Sequence, residues 1–330
     1  MQLTKYFNTL LRDTVNLPKG RLDELAGRVE SIYTVLKNDD VLSELVTGKT
    51  PQGSWAHRTI IKPEPGKEYD ADVLIHMDEN PGWADNRGRY IGELYSALGR
   101  GGYEDRHRMT RCVRVQYAND CHVDLVPYVQ TASGQRIVNR KTGEWEDTNP
   151  EGFTAWMAER DRITHGNFRK VVRLMKYLRD HRKSFTGTRS IILMTLLGNR
   201  VDTWAEIQSP DAYKTVPKTL VTLVEALDAW MQAQYTMPDV EDPSSPGTLF
   251  NHRWSPESYE YFKKRINAHA KEMRNALDDT DPAASAEQWQ ALFGDGFKTD
   301  AAKTESASPF LLGGGAASLG ASSGRSGRAG

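Results

Sequence analysis

Asp70 and Asp72 are separated by one residue and lead directly into an apolar run of Val73, Leu74 and Ile75. This run predicts a buried β-strand. Because alternate side chains of a strand point to the same side, the two carboxylates would face one spot at the edge of a core. Two carboxylates that close repel each other unless a cation lies between them. The pattern therefore predicts a strand with a divalent-cation site at its start, and the rest of the fold is arranged around it.

A third acid, Asp124, lies in the middle of another predicted strand, where a lone carboxylate is costly. That strand, residues 121–129, and residues 111–117 both alternate polar and apolar side chains, and the turn sequence at 118–120 predicts a β-hairpin. Three such acids suit two Mg²⁺ ions, with Mn²⁺ as an alternative. One ion would lower the pKa of an attacking hydroxyl, and the other would hold a triphosphate and its leaving pyrophosphate. In the competing interpretation, the first two acids are surface residues and the third is salt-bridged.

A Gly-Ser pair, Gly53 and Ser54, precedes the acids. Glycine lets a phosphate approach the backbone closely, and Ser54 offers a hydroxyl and a backbone N–H to a phosphate oxygen. The pair therefore predicts a phosphate-binding turn, which His57 and Arg58 would extend. The alternative is an ordinary turn at the entry of a helix, with Ser54 as the N-cap.

The remaining pattern predicts an α+β fold with two lobes and a central cleft. Residues 1–47 are predicted to be mostly helical, with a long amphipathic helix from Arg21 that the turn residues Gly48, Pro51 and Gly53 end. Further helices are predicted at 90–98, 168–178, 190–197, 217–232 and 256–277, a strand at 58–61, and loops at 78–88 and 131–152. The predicted units are an α/β core at 1–155, a helical lobe at 156–300 and a flexible Gly/Ser/Ala-rich tail at 301–330.

Composition excludes several classes of protein. Lys plus Arg is 43 and Asp plus Glu is 44, a net charge of -1, so neither a dedicated DNA-binding protein nor a polybasic membrane binder is expected. No apolar run approaches the length of ~18 residues that a membrane span needs. Cys112 and Cys121 lack zinc-ligand spacing, and the chain shows no signal peptide. We therefore expect a cytoplasmic protein without disulfide bonds.

The order of Gly-Ser, Asp-x-Asp at a strand start and an apolar-Asp-apolar strand resembles the DNA polymerase β-like nucleotidyltransferase superfamily. The long N-terminal helix, the strand HVDLVPYV and the helical lobe are similar to the branch of cyclic GMP-AMP synthase and oligoadenylate synthase, and within it to the bacterial cyclic-oligonucleotide synthases of antiphage signalling systems. The likeness covers roughly residues 1–275 and includes the segments FRKVVRLMKYLRDHR, TGTRSIILMTLL and DPSSPGTLFNHRWSPESYEYF. The zinc-binding insertion of the vertebrate enzyme has no counterpart, which argues against activation by double-stranded DNA.

The resemblance implies a Mg²⁺-dependent enzyme that makes a cyclic di- or trinucleotide from nucleoside triphosphates, with ATP and GTP or another nucleotide as substrates. The 3′- or 2′-hydroxyl of one nucleotide would attack the α-phosphate of the next and release pyrophosphate, and a further attack would close the ring. Asp70 and Asp72 would bind both metals, and Asp124 would complete the site that activates the hydroxyl.

Two further residues join Gly53 and Ser54 as nucleotide contacts through the resemblance. Lys176 would meet the triphosphate, and Ser190 would approach the same nucleotide. The alternatives are a solvated helix face for Lys176, which lies among several arginines, and an N-cap for Ser190. Residues 251–253 would read a base edge or cap a loop.

The tail ends on Gly330. The resemblance implies that a ubiquitin-like transfer enzyme joins this end to other molecules and that regulatory partner proteins act on the enzyme; the alternative is an ordinary disordered end. Two other functions stay open, namely transfer of a nucleotide to RNA, a protein or a small molecule, and non-catalytic nucleotide sensing or scaffolding. Base identity, ring size, linkage, activating signal and oligomeric state are not set by the sequence.

Overall fold

A mixed β-sheet carries the three aspartates. In the computed structural model, which describes residues 1–118 and 120–298, seven strands form this sheet. They are β1 (Val46–Gln52), β2 (Tyr69–Asp78), β3 (Arg106–Arg108), β4 (Val113–Tyr117), β5 (Cys121–Thr131), β6 (Gly134–Asn139) and β7 (Glu144–Asp147). The order across the sheet is β1-β2-β5-β4-β3, with β6 paired to β5 and β7 paired to β6. β2 and β5 run parallel, and the other neighbouring strands run antiparallel.

Helices surround this sheet and make up most of the second half of the described residues. The α-helices are α1 (Thr4–Leu10), α2 (Lys19–Lys37), α3 (Gly53–Ala56), α4 (Arg89–Arg100), α5 (Pro150–Ile163), α6 (Phe168–His181), α7 (Ser190–Gly198), α8 (Ala205–Gln208), α9 (Val216–Gln232), α10 (Pro256–Asp278) and α11 (Pro282–Phe293). Leu11–Val15 continues α1 as a π-helical turn, and 3₁₀ turns lie at Pro81–Trp83, Asn251–Arg253 and Gly294–Gly296.

One face of the sheet packs against α2 and α4. The buried residues of α2 recur at three- and four-residue steps and share one core with the sheet: Leu25, Val29, Ile32 and Leu36. Alternate residues of β2, Ala71, Val73 and Ile75, complete this core. Because side chains alternate along a strand, Asp70 and Asp72 lie on the opposite face.

A second buried core joins the helices of the C-terminal half to the start of the chain. Phe7 of α1 packs edge-on against Trp289 and Phe293 of α11, with ring centroids 4.9 and 5.8 Å apart. The same core takes residues from α6, α7, α9 and α10. Met1–Lys298 is one compact unit, and the boundary proposed near residue 155 stays a prediction.

The predicted fold class is confirmed: the protein is α+β, with a mixed sheet and a large helical part. The strand β2, the β4–β5 hairpin and the helix α4 all form close to their predicted bounds, and the long helix α2 begins near Arg21 as predicted but ends at Lys37. So do α6, α7, α9 and α10. These elements have long, regular apolar periods, which makes them the easiest to recognise in a sequence.

Two predictions before β2 are wrong. Gly48 and Pro51 do not end a helix in a turn but lie within β1. The sheet tolerates Pro51 because β1 is an edge strand, where a missing backbone N–H breaks no pairing with an outer strand. The strand predicted at 58–61 does not form, since Arg58 adopts a left-handed φ of 56° and only Ile61 makes an isolated bridge.

The prediction of a loop at 131–152 is also wrong. This segment contains β6 and β7 and the first turn of α5. Only Val138 is buried on these two strands, so their sequence lacks the apolar alternation that marks a half-buried strand.

The tail at 301–330, including Gly330, lies outside the described residues, as does Asn119 of the predicted turn. Within residues 1–118 and 120–298, no helix combines the length and the apolar character that crossing a membrane requires.

Candidate active site

Strand pairing sets four polar side chains in one row across the sheet. Asp72 on β2 is the direct partner of Gln52 on β1 and of Asp124 on β5. Asp124 is in turn the direct partner of Arg114 on β4. Directly paired residues have their side chains on the same face of a sheet. The row therefore brings Asp72 and Asp124 together, although 52 positions separate them in the chain.

The side chains of Asp70 and Asp72 make no hydrogen bond or salt bridge to any other described residue. Asp70 is exposed and Asp72 is partly buried. The pKa of Asp72 is raised to about 7, first by burial and then by the charges of Asp70 and Asp124. Within the described residues, the carboxylate pair thus has no salt-bridge partner at the point where the sequence predicts a cation.

Asp124 has a partner already. Arg114 donates from Nε and Nη2 to its two carboxylate oxygens, both at 2.8 Å. Within the described residues, no group of three or more acids, histidines or cysteines is close enough together to hold a metal ion. The structure thus brings Asp124 beside the Asp70–Asp72 pair but directs its oxygens to Arg114.

The Gly-Ser turn approaches Asp72 closely. Gly53 has a φ of 58°, in the left-handed region that favours glycine. A Cβ at this position would overlap the Oδ2 atom of Asp72. Gly53 begins the short helix α3, whose N-cap is Gln52, so Ser54 is not the N-cap of that helix. The turn therefore needs glycine for two reasons, its backbone conformation and its distance from the carboxylate.

Lys176 reaches the same turn from the helical side. Its Nζ donates to the backbone carbonyl of Thr59 at 2.9 Å, and the Thr59 N–H donates to the carbonyl of Ser54 at 2.8 Å. The Lys176 side chain is buried, which rules out a solvated helix face. Burial, followed by the charge of Arg179, lowers its pKa to about 8. Lys176 therefore braces the segment that carries Ser54.

One cavity of about 480 Å³ contains six of the seven predicted site residues. They are Gly53, Ser54, Asp70, Asp72, Lys176 and Ser190. Three arginines, Arg179, Arg189 and Arg253, also line it. The cavity therefore opposes an acidic wall on the sheet with a basic wall from the helical part of the protein.

The three arginines differ in their partners. Arg179 pairs with Asp180 at 2.7 Å and donates to the Ser190 hydroxyl at 3.2 Å. The side chains of Arg189 and Arg253 make no hydrogen bond or salt bridge to another described residue. The pKa of Arg253 is lowered by burial and then by the charges of Arg111 and Arg189. Two guanidinium groups without a salt-bridge partner among the described residues thus line one cavity, an arrangement that suits an anion between them.

A second cavity of about 410 Å³ lies on the other side of Asp72 and shares Gly53, His57, Asp72 and Arg253 with the first. Its walls include the aromatic rings of Phe153 and Phe250 together with polar groups such as Arg111 and Asn149. His57 is buried, and its Nδ1 has no hydrogen-bond partner. Burial, then Arg169 and Lys176, lower its pKa to about 4, so its imidazole is neutral at pH 7.

Comparisons with known proteins identify similar sequences. The family described as "Second Messenger Oligonucleotide or Dinucleotide Synthetase domain" matches residues 1–161. A cyclic AMP-AMP-AMP synthase of an Acinetobacter species is 24% identical over 256 residues, which cover 76% of this chain and 72% of that protein. A cyclic AMP-AMP-GMP synthase of Enterobacter hormaechei is 22% identical over 90% of this chain and 92% of its own length.

Solved structures show the same fold. The Vibrio cholerae cyclic AMP-GMP synthase DncV, solved with a linear intermediate, matches 90% of this chain and 96% of its own, with a TM-score of 0.70 and 15% identity. Escherichia coli CdnC, solved with ATP, matches 91% of this chain and 100% of its own, with a TM-score of 0.67 and 18% identity.

Residues 1–161 thus match the second-messenger synthetase family, and the chain shares the fold of DncV and CdnC. The family resemblance stated from the sequence is confirmed, and the protein is an enzyme of the cyclic-oligonucleotide synthase class.

Sequence reasoning missed part of the basic wall of this nucleotidyltransferase. The sequence presents Arg179 as one of several arginines on a helix and predicts no nucleotide contact for Arg189, although both line the cavity. Arg253 is predicted to read a base edge or cap a loop, whereas in the structure it lines both cavities. A usable signal was present for Arg189, which directly precedes the predicted nucleotide contact Ser190.

Proposed function

We propose that this enzyme condenses nucleoside triphosphates into a cyclic di- or trinucleotide, with Mg²⁺ as cofactor and pyrophosphate as the leaving group. The observation that carries the proposal is the cavity in which the unpaired Asp70 and Asp72 face Arg189 and Arg253. Carboxylates opposite guanidinium groups suit a substrate that binds as a complex of a divalent cation and a triphosphate.

The donor set fits Mg²⁺. Magnesium is commonly held by one or two carboxylates and completed by substrate phosphates, which matches two unpaired aspartates beside a basic wall. The raised pKa of Asp72 supports this fit, since a cation beside it would stabilise its ionised form. When bound, Mg²⁺ supplies charge neutralisation of the phosphates and a lower pKa for the attacking hydroxyl.

The protein's own residues bind the triphosphate, stabilise its negative charge and complete the acidic site. Gly53 lets the turn lie against Asp72, so that Ser54 presents its hydroxyl and backbone N–H to the triphosphate. Arg189 and Arg253 stabilise negative charge on the phosphoryl oxygens through fixed electrostatics. Asp124 completes the acidic site while the two hydrogen bonds from Arg114 hold its carboxylate in place. A carboxylate has about four lone-pair positions, so the two bonds to Arg114 leave capacity for further ligands.

Substrates and partners follow from the relatives. The Acinetobacter and Enterobacter relatives are cyclic AMP-AMP-AMP and cyclic AMP-AMP-GMP synthases, so we propose ATP as one substrate, alone or with GTP. CdnC was solved in complex with a HORMA protein, and we propose that a protein partner also regulates this enzyme. We further propose that it works in the cytoplasm in antiphage signalling, and that a ubiquitin-like transfer enzyme acts on Gly330.

The decisive experiment incubates the purified full-length chain with all four labelled nucleoside triphosphates and Mg²⁺. We expect pyrophosphate release and a small phosphatase-resistant product whose mass identifies a cyclic di- or trinucleotide. The double variant Asp70→Asn, Asp72→Asn should lose this product. Asp78→Asn, at the exposed end of the same strand, is the matched control and should keep it.

Other results would point elsewhere. Retention of synthesis by the Asp70/Asp72 double variant would make the proposed mechanism wrong. Label recovered in RNA, in a protein or in a small-molecule adduct would indicate nucleotide transfer rather than cyclisation. If Mg²⁺ neither stimulated pyrophosphate release nor raised the melting temperature in the presence of ATP, the metal assignment would be wrong.

A further inference from the structure

The loop between α6 and α7 supplies a large part of the nucleotide cavity. Residues 182–189 connect the two helices, and Thr186, Thr188 and Arg189 line the cavity. The unpaired Arg189 is at the end of this loop, directly before Ser190. The position of the loop therefore determines where the basic wall lies.

The loop adopts a backbone conformation that its residues do not favour. Lys183 has a φ of 48° and Phe185 a φ of 40°. Left-handed values are costly for residues that carry a Cβ, and such residues persist only where surrounding contacts hold them in place. Ser184 lies between these two residues. Contacts made by the segment 183–185 are therefore needed to keep the loop in this form.

Helix α10 provides these contacts through a buried chain of hydrogen bonds. Arg265 donates from Nε to the Ser184 hydroxyl oxygen at 2.9 Å. The Ser184 hydroxyl pairs with Nε2 of His269 at 3.1 Å, and Nδ1 of His269 pairs with Glu272 at 3.0 Å. Because Glu272 can only accept, His269 donates from Nδ1 and accepts from Ser184 at Nε2. Ser184 is 2% exposed and His269 0% exposed, so the two central members of the chain are shielded from water.

Two packing contacts fix the loop on the same helix. The ring of Phe185 packs edge-on against Phe262 of α10, with centroids 5.3 Å apart. A Cβ at Gly187 would lie 2.7 Å from the Ser258 hydroxyl, so the loop backbone lies directly against α10. The loop thus meets α10 at three successive points, Ser184, Phe185 and Gly187.

The order Ser184, His269, Glu272 does not make a nucleophile. A nucleophilic serine needs access to a substrate, whereas Ser184 is buried. Its oxygen also accepts a hydrogen bond from a guanidinium, which reduces its nucleophilicity. The arrangement is an anchor for the loop.

We propose that Ser184 and His269 are positioning residues for nucleotide binding, because they hold the strained loop 182–189 on α10 and so place Arg189 and Ser190 in the cavity. This inference rests on the proposed function for its substrate. It predicts that loss of the anchor weakens triphosphate binding while the acids on the sheet keep their chemistry.

Ser184→Ala tests the anchor, and Ser285→Ala is the matched control. Ser285 is also a fully buried serine next to α10, where its hydroxyl donates to the carbonyl of Ala276 at 2.7 Å, far from the cavity residues in the chain. Both variants lose one buried hydroxyl, so comparable losses of melting temperature are expected. Only Ser184→Ala should raise KM for the triphosphate, by about tenfold, since a hydrogen bond to a charged group is removed. Its kcat should change by less than about threefold.

A second pair of variants keeps the test valid if Ser184→Ala does not fold. In His269→Gln, the amide can still accept from Ser184 and donate to Glu272, so KM should stay near the wild-type value. In His269→Leu, neither bond can form, and KM should rise about as much as in Ser184→Ala. A KM within twofold of wild type for Ser184→Ala and His269→Leu, or an equal rise in Ser285→Ala, would overturn the proposal.

Binding of MgATP, measured by calorimetry on the same variants, separates this proposal from the proposed function. If the wild type turned over none of the four triphosphates, the proposed function would fail, and the dissociation constant for MgATP would replace KM as the readout. A weaker binding in Ser184→Ala than in Ser285→Ala would then still support the anchor. Equal binding by the two variants, or no binding by the wild type, would overturn it.

Discussion

Replacement of Gly53 by alanine measures how much catalysis depends on the close approach of the Gly-Ser turn to Asp72. The φ of 58° at Gly53 costs a residue with a Cβ about 1–2 kcal/mol. The new Cβ would also overlap the Oδ2 atom of Asp72, so either the carboxylate or the turn must move. A displacement of ~1 Å at a reacting centre can cost about a hundredfold in rate. We therefore expect kcat/KM to fall by about a hundredfold.

The matched control for this prediction is Gly102→Ala. Gly102 also has a left-handed φ, 85°, but no atom lies within 4 Å of its Cβ position. Both variants should lose about 1–2 kcal/mol of unfolding free energy. Thermal unfolding would measure this loss, and pyrophosphate release at saturating Mg²⁺ would measure activity. If Gly53→Ala kept its wild-type kcat/KM, or if Gly102→Ala lost as much activity, the importance of the turn's distance from Asp72 would be refuted.

Three further predictions concern other residues of the site. His57 has a pKa of about 4 in the folded protein against an ordinary value of 6.5, so the unfolded chain binds a proton between these values that the folded chain does not. Stability should therefore fall as the pH decreases from 6.5 to 4, by about 3 kcal/mol at most, and His57→Asn should show a smaller fall in thermal unfolding. Arg253→Gln should raise KM about tenfold without lowering the melting temperature, because a crowded cation that lacks a salt bridge is removed; an unchanged KM would exclude Arg253 from substrate binding. Asp124→Asn should lower kcat by about a hundredfold or more in steady-state assays, whereas a purely structural acid would lower stability and leave kcat intact.

The sheet and its acids could be predicted because their signals are local. The Asp70–Asp72 spacing, the apolar run after it and the position of Asp124 within an alternating strand are visible within a few residues each. Strand pairing then converts these local patterns into a shared face, since Asp72 and Asp124 are direct partners. The strands β6 and β7 were not predicted because both are mostly polar, so no apolar periodicity marks them in the sequence.

The basic wall could not be predicted in the same way because long-range packing builds it. Arg253 and Arg189 come from separate segments of the chain. Tertiary packing brings both to the cavity that Asp70 and Asp72 also line. The sequence around Arg253 does not separate it from other arginines on the surface, and Arg189 is marked only by its position before Ser190. In the structure both line the same cavity as Asp70 and Asp72, and neither side chain forms a salt bridge with a described residue. The acidic wall of this site is therefore easier to recognise from the sequence than the basic wall.

Lys176 lines the cavity, as its predicted role requires, but its hydrogen bond in the structure goes to the protein backbone. The resemblance selected it as a triphosphate contact, and the structure places it in the cavity, but its Nζ donates to the Thr59 carbonyl. An ammonium group has three donors, and a single carbonyl uses one of them. The remaining two are available to a phosphate, and a pKa of about 8 means that an arriving anion would increase its protonation. Lys176 is therefore suited both to hold the Thr59 carbonyl and to bind a phosphate. The bond to Thr59 fixes the direction of the side chain, and the phosphate would complete its hydrogen bonding.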